Sequence, residues 1–257
     1  MIEIQHLRKT YGTTVAVDDV SLSIESGQVF GLLGPNGAGK STMVKIITGL
    51  IRPTSGTVTI AGLDVIKMPV EVKQRIGYVP ENAMLYESLT ADEYLELVGD
   101  LRHLDRATLS QTRTELFDLF GITREDRAKL LSEFSKGMKQ KVLLMSALIH
   151  NPEIIILDEP LSGLDANAAL IIKEVMHKFA EQGKTIFFCS HVLDVVERLC
   201  QRIAIIDHGH VIADGTPHDI MSQTGELSLE RAFNQLTGGG DIERSTEEVV
   251  RALSNRL

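Results

Sequence analysis

An α/β fold built on a mostly parallel sheet, with an antiparallel β side sheet and an inserted helical subdomain, is predicted by three features of the sequence. Short apolar runs rich in Val and Ile alternate with helical patterns along most of the chain. The first 30 residues and the stretch "GTVTIAG" instead alternate apolar and polar in the antiparallel manner. Between residues 88 and 150 no strand pattern appears. Runs that are apolar on both faces suit strands covered by helices on either side, whereas strict alternation suits a sheet with one wet face.

In chain order, "QVFGLLG", "RIGYVP", "EIIILDE", "TIFFCS" and "RIAIID" read as buried strands bounded by breakers, with helical patterns between most of them. Thr90 to Glu93 forms a capping-box pattern before "YLELVGDLRHL", and two further helical stretches follow. This places a helical subdomain, about residues 82–150, between two strands of the core. "DHGH" at 207–210 reads as a hairpin turn and not as a metal site. After residue 225, "LSLERAFNQLTGGG" and "DIERSTEEVVRALSNRL" are two amphipathic pieces joined by three glycines, read as a C-terminal helical extension, 226–257, with a flexible joint. The main domain is then 1–225.

The composition narrows the function. A chain of 257 residues, 43% hydrophobic, has enough apolar material for a proper core. Acidic residues outnumber basic ones 35 to 26, and the net charge of −9 repels a phosphate backbone at long range, so no nucleic-acid partner is expected. Small phosphate ligands, held locally, remain compatible. Cys189 and Cys200 lie in apolar runs without metal-ligand spacing and read as buried reduced thiols of a cytoplasmic protein. No secretory pattern opens the chain, and no apolar run reaches the ~18 residues that cross a bilayer. Any membrane role is expected to come through a partner.

One motif carries most of the chemistry. "GLLGPNGAGKST" follows an apolar strand and opens a helix, and Gly34 to Ser41 meets the spacing G-x-x-x-x-G-K-S. Gly34, Gly37 and Gly39 let the backbone curl until successive N–H groups converge on phosphate oxygens, and the helix start adds its positive end. Pro35, Asn36 and Ala38 complete the loop. Lys40 brings a full charge to the β and γ phosphates, Ser41 offers a hydroxyl to Mg²⁺, and Thr42 is placed to reach another phosphate oxygen. A phosphate-loop nucleoside triphosphate hydrolase core follows. "EIIILDEP" then delivers Asp158 and Glu159 at the carboxyl end of a buried strand, where open α/β sheets bind ligands. Alone, that string is also how a strand ends at the surface; behind a phosphate loop, Asp158 reads as the holder of Mg²⁺ and Glu159 as the group that polarises or deprotonates the attacking water.

The tail "LERAFNQLTGG" looks like the end of the ATPase subunits of bacterial ABC-2 type exporters, and with the elements above placed, residues 1–222 resemble the ATP-binding-cassette family. The resemblance rests on "FSKGMKQK" at the signature position, "LSGLD" at 161–165, "SH" with His191 at the switch position, and Tyr11 near the start. It implies that ATP and Mg²⁺ are the ligands, that Tyr11 stacks on adenine, and that His191 hydrogen-bonds the γ phosphate. It implies also that Ser135 and Gly137 complete the γ-phosphate site of a second ATPase subunit in a head-to-tail pair, identical or different, and that Asp165 orders that interface. Integral membrane permease subunits would be the further partners, placing the chain on the cytoplasmic face of the membrane. Each residue also has a plainer reading: Ser135 as an N-cap with Met138, Val142, Met145 and Ile149 inward, His191 as a packed or capping histidine, Tyr11 as an edge cover.

Two positions depart from the family pattern. The signature reads Phe-Ser-Lys-Gly-Met where Leu-Ser-Gly-Gly-Gln is commonest, and Glu81 stands in "GYVPEN" where a Gln contacts Mg²⁺ and water. A carboxylate there still coordinates Mg²⁺ through oxygen but adds a charge beside the triphosphate. A soluble cassette ATPase of DNA repair or translation is the alternative, although such chains carry two cassettes or a long coiled-coil insertion, and neither is present. A GTPase or small-molecule kinase lacks support, because no Asn-Lys-x-Asp guanine reader occurs.

Overall fold

The computed structural model describes residues 1–81, 85–161, 164 and 166–238. The chain opens with β1 (Ile2–Tyr11) and β2 (Thr14–Ile24), then β3 (Val29–Leu33), α1 (Lys40–Ile47), β4 (Ser55–Ile60), β5 (Leu63–Asp64), α2 (Pro69–Arg75) and β6 (Ile76–Val79). The helical stretch follows as α3 (Ala91–Leu101), α4 (Arg106–Phe120), the single turn α5 (Arg124–Arg127), a 3₁₀ turn at Leu131–Glu133 and α6 (Lys136–Leu148). The chain returns through β7 (Ile154–Asp158), α7 (Ala166–Glu181), β8 (Thr185–Cys189), α8 (Leu193–Leu199), β9 (Arg202–Asp207), β10 (His210–Gly215), α9 (Pro217–Thr224) and α10 (Leu229–Leu236).

Two sheets form. The larger has the order β10-β9-β3-β8-β7-β6, parallel throughout except where β10 folds back on β9. The smaller is antiparallel, with order β2-β1-β4-β5. The expected α/β class, side sheet and helical insert between two core strands are therefore all present.

The strands of the large sheet are apolar on both faces because each face meets its own core. Val29, Leu33, Ile155, Leu157, Ile186 and Phe188 point into a core shared with α6, α7 and α8. Phe30, Leu32, Ile154, Ile156, Phe187 and Cys189 point the other way, against α1 and the side sheet. The period-2 geometry of a strand divides one run of sequence between two layers. Burying a side chain of this size contributes about 1.5–3 kcal/mol, so the double-sided strands are the main source of rigidity under the loops at their carboxyl ends.

In the inserted stretch, Thr90 caps α3 as expected: its hydroxyl accepts from Glu93 N at 3.2 Å, and Glu93 Oε2 accepts from Thr90 N at 2.8 Å. Helix α6 is buried on more of its circumference than the predicted stripe. Val142, Met145 and Ile149 point inward and Met138 is half-buried, but Gln140, Leu143, Leu144 and Ala147 are buried too. The hairpin turn lies at His208–Gly209, both with positive φ. Cys189 and Cys200 are buried free thiols. Helix α10 packs on α8 and α9 with Leu229 and Ala232 buried; residues 239–257, which include most of the glycine joint and the second amphipathic piece, lie outside the described residues. Among those described, no helix is long and apolar enough to cross a membrane.

Candidate nucleotide site

The loop between β3 and α1 takes its shape from close backbone approaches. Gly37 and Gly39 have φ of 82° and 110°, a region that other residues enter only with strain. A side chain at Gly34 would run into the Ile206 carbonyl, and one at Gly39 into the Ala16 carbonyl. The β9–β10 turn braces the loop, with Gly209 N donating to Ala38 O at 3.0 Å and Gly209 O accepting from Asp18 N at 2.9 Å. Lys40 reaches back over the loop, Nζ donating to the carbonyls of Gly34 at 2.6 Å and Pro35 at 3.0 Å. No side chain caps α1, so its first N–H groups and its dipole are left open to an anion.

A cleft of ≈ 480 Å³ opens over this loop. Its lining brings together Asn36 to Thr42 with Glu81, Asp158, Glu159 and His191, and adds Ala16. Four of these five stretches lie at the carboxyl ends of parallel strands, as the topology requires, and Ala16 comes from β2 of the side sheet.

Asp158, the last residue of β7, is 6% exposed. Burial, with Glu81 and Glu159 close by, pushes its carboxyl up to about 6, against the opposing pull of Lys40. A buried carboxylate with two acidic neighbours is short of positive charge. Glu159 has a positive φ of 51°, which costs of order 1–3 kcal/mol and persists only where the surroundings impose it. They do so from several directions. Glu159 N donates to Cys189 O at 2.9 Å, Ser190 Oγ donates to Glu159 Oε2 at 3.4 Å, and His191 Nδ1 lies 2.9 Å from Glu159 Oε1. Just beyond, the Gln140 side chain donates to Pro160 O at 3.2 Å. Ser190, 2% exposed, also accepts from Val192 N at 3.1 Å.

The remaining predicted residues lie elsewhere. Ser135 and Gly137 sit at the start of α6, outside the cleft lining; Ser135 is exposed and its hydroxyl accepts from Met138 N at 3.3 Å. Tyr11, 49% exposed at the end of β1, is not among the cleft residues, and the Lys9 ammonium lies 5.0 Å from its ring centroid. Asp165 lies outside the described residues. Sequence reading missed Ala16, Ser190 and Gln140: Ala16 belongs to no motif read for chemistry, Ser190 lies in the "SH" pair that was read only for its histidine, and Gln140 lies within the signature stretch with nothing local to show where its amide points.

The doubly covered parallel sheet, the phosphate loop and the helical insert together define a phosphate-loop nucleoside triphosphatase. The family described as ABC transporter matches residues 17–162, and the chain belongs to it. The linearmycin resistance ATP-binding protein LnrL of Bacillus subtilis is 39% identical over 255 residues, 99% of this chain and 80% of LnrL. A solved ATP-binding subunit of an ABC transporter superposes with a TM-score of 0.87 at 34% identity, covering 92% of this chain and 99% of that one. A dimeric ATP-binding cassette in a post-hydrolysis state, bound to ADP and Pi, matches with a TM-score of 0.78 at 27% identity over 84% of this chain and 98% of that one. The protein is thus an ATP-binding, ATP-hydrolysing subunit of an ABC transporter, and the soluble repair or translation alternative is not favoured.

Proposed function

We propose that the chain works as one half of a head-to-tail ATPase pair at the cytoplasmic face of the membrane, closing on ATP and Mg²⁺ to drive export through separate permease subunits. The observation that carries this reading is the division of the site. One chain gathers loop, carboxylates and histidine around a cleft, while Ser135 and Gly137, the remaining anion-binding turn, lie outside it. A second subunit supplies that turn. Two or three charge-assisted hydrogen bonds at about 1.5–3 kcal/mol each, made only to a γ phosphate, reach the ~5.5 kcal/mol that swings an equilibrium from 1:99 to 99:1.

Within the cleft, Lys40 and the uncapped start of α1 hold the phosphates, with Gly34 to Thr42 as the cradle. Ser41, Asp158 and Glu81 are hard oxygen donors around one space, a set that fits a divalent cation, and Asp158 is short of positive charge in its absence. When bound, Mg²⁺ neutralises charge developing on the β and γ phosphates. Glu159 orients the attacking water and takes its proton. His191, beside Glu159, hydrogen-bonds the γ phosphate. Tyr11 is assigned to the adenine and Asp165 to the dimer interface.

The permease partner is supported by a second groove, of ≈ 460 Å³, lined by Val70, Tyr78, Tyr94 and Leu101 together with Lys73 and Arg102. Val70 is 63% and Leu101 70% exposed, an apolar surface suited to an amphipathic helix. Export is supported by a relative of Sinorhizobium fredii named for Nod factor export, 38% identical over 223 residues. The working division is a domain of 1–225, including the helical subdomain of about 82–150, and an extension of 226–257.

The test is Glu159→Gln. It should bind ATP, slow turnover by about 10² to 10⁴ fold and accumulate as an ATP-dependent dimer in size-exclusion chromatography. Normal turnover would remove Glu159 from the base role, and a monomer at saturating ATP would remove the head-to-tail pair. Recovery of a polytopic protein with the chain from detergent-solubilised membranes tests the permease.

A further inference from the structure

We infer that Gln140 is a positioning residue that transmits the seating of the signature turn in one site to the catalytic glutamate of the chain's own site. The inference rests on the head-to-tail reading above and assigns a coupling element within it.

Gln140 lies one helical turn beyond Gly137 in α6, and its side chain is buried. Buried amides are retained only where they find partners, and this one donates to Pro160 O at 3.2 Å. A carbonyl can only accept, so the amide nitrogen is fixed toward Pro160. Pro160 is itself buried and directly follows Glu159. The bond therefore crosses from the inserted helical stretch to the end of β7 in the parallel core.

Its place matters because Glu159 holds a left-handed backbone conformation. Such a residue persists where its surroundings impose it, and here both flanks are tied. On its amino side the tie is Glu159 N to Cys189 O at 2.9 Å; on its carboxyl side the tie is the Gln140 amide. Ser135 and Gly137 serve the partner's nucleotide, whereas Glu159 serves the chain's own. A shift of α6 as its first turn docks on the partner's γ phosphate moves the Gln140 amide, and with it the carboxyl-side restraint on Glu159. Occupation of one site then sets the geometry of the water-activating group in the other.

Gln140→Met removes the donor and keeps the volume. In the full-length protein, kcat for ATP should fall about tenfold, KM should stay within about twofold, and the Hill coefficient for ATP should drop toward 1. In the Glu159→Gln background the Gln140→Met chain should still dimerise on ATP, since the signature turn is untouched. Gln140→Glu, which cannot donate as a carboxylate, provides the second variant should Gln140→Met fail to fold, with the same kinetic split expected. An unchanged kcat overturns the inference. So does a loss of ATP-dependent dimerisation in proportion to kcat, which would make Gln140 a mere support of α6. Failure of the head-to-tail reading shows separately, as a Glu159→Gln chain with native Gln140 that stays monomeric in ATP.

Discussion

Replacing Asp158 by Asn should make the nucleotide-free protein more stable while removing its proposed hold on Mg²⁺. The carboxyl group titrates near 6 in the folded chain against a usual 3.8, because it is buried and faces Glu81 and Glu159. Two units at about 1.4 kcal/mol each give about 3 kcal/mol of destabilisation when the group is ionised, and water in the open cleft screens this to about 1–2 kcal/mol. Asn has the same shape and no charge. The sign follows from proton binding: between 3.8 and 6 the folded state holds more protons than the unfolded one, so stability falls as pH rises through that window. The penalty is complete above about pH 6 and absent below the unfolded value. At pH 7.5 without nucleotide, Asp158→Asn should melt about 2–8 °C above the parent, and at pH 5 the advantage should shrink to about half. Saturating ATP with Mg²⁺ should reverse the order, because only the aspartate profits from the cation. An Asn variant that melts at or below the parent at pH 7.5, or keeps its full advantage at pH 5, refutes the argument that Asp158 is held in an unfavourable field for the sake of its ligand.

His191→Ala should abolish hydrolysis while leaving ATP affinity nearly intact, as measured by phosphate release and by fluorescent-nucleotide titration; a parent-like rate would remove His191 from the reaction. Lys40→Ala should weaken ATP binding about 10 to 100 fold, the equivalent of one charge-assisted hydrogen bond, and unchanged affinity in calorimetry would contradict the cradle. Gly31→Ala should cost about 1–3 kcal/mol in urea unfolding, since its Cβ would meet Ile203 Cγ2 at 2.9 Å, Cys200 Sγ at 3.0 Å and Val196 Cγ1 at 3.1 Å between β3, β9 and α8.

The parts of this molecule legible in the sequence are those whose cause is local. The strands of the large sheet show themselves because both faces are covered, which leaves unbroken apolar runs such as Ile154–Leu157. The phosphate loop is legible because its glycines, lysine and serine fall within one short stretch, Gly34 to Ser41. The parts not legible depend on what packing brings near. Gly209 lies 171 residues beyond Ala38, yet its N–H supports the loop at 3.0 Å, and nothing in "DHGH" distinguishes that turn from any other hairpin. Helix α6 shows a further limit: a period of 3.6 finds one buried face, whereas a helix sandwiched between other elements also buries Leu143, Leu144 and Ala147.

Ser135 marks the boundary between these two kinds of evidence. Within one chain its hydroxyl does what an N-cap does, accepting from Met138 N at 3.3 Å, and a cap of this type contributes about 1 kcal/mol to helix stability. That local role accounts for the serine but leaves Gly137 unexplained, because glycine inside a helix costs about 1 kcal/mol relative to Ala and here has no turn to make. Glycine on the first turn puts no side chain over its own N–H group, which is what a close approach by an anion needs. The sequence thus accepts a cost to its own helix at a position outside its own cleft. In the proposed head-to-tail pair, that cost is offset by an anion arriving with the second subunit.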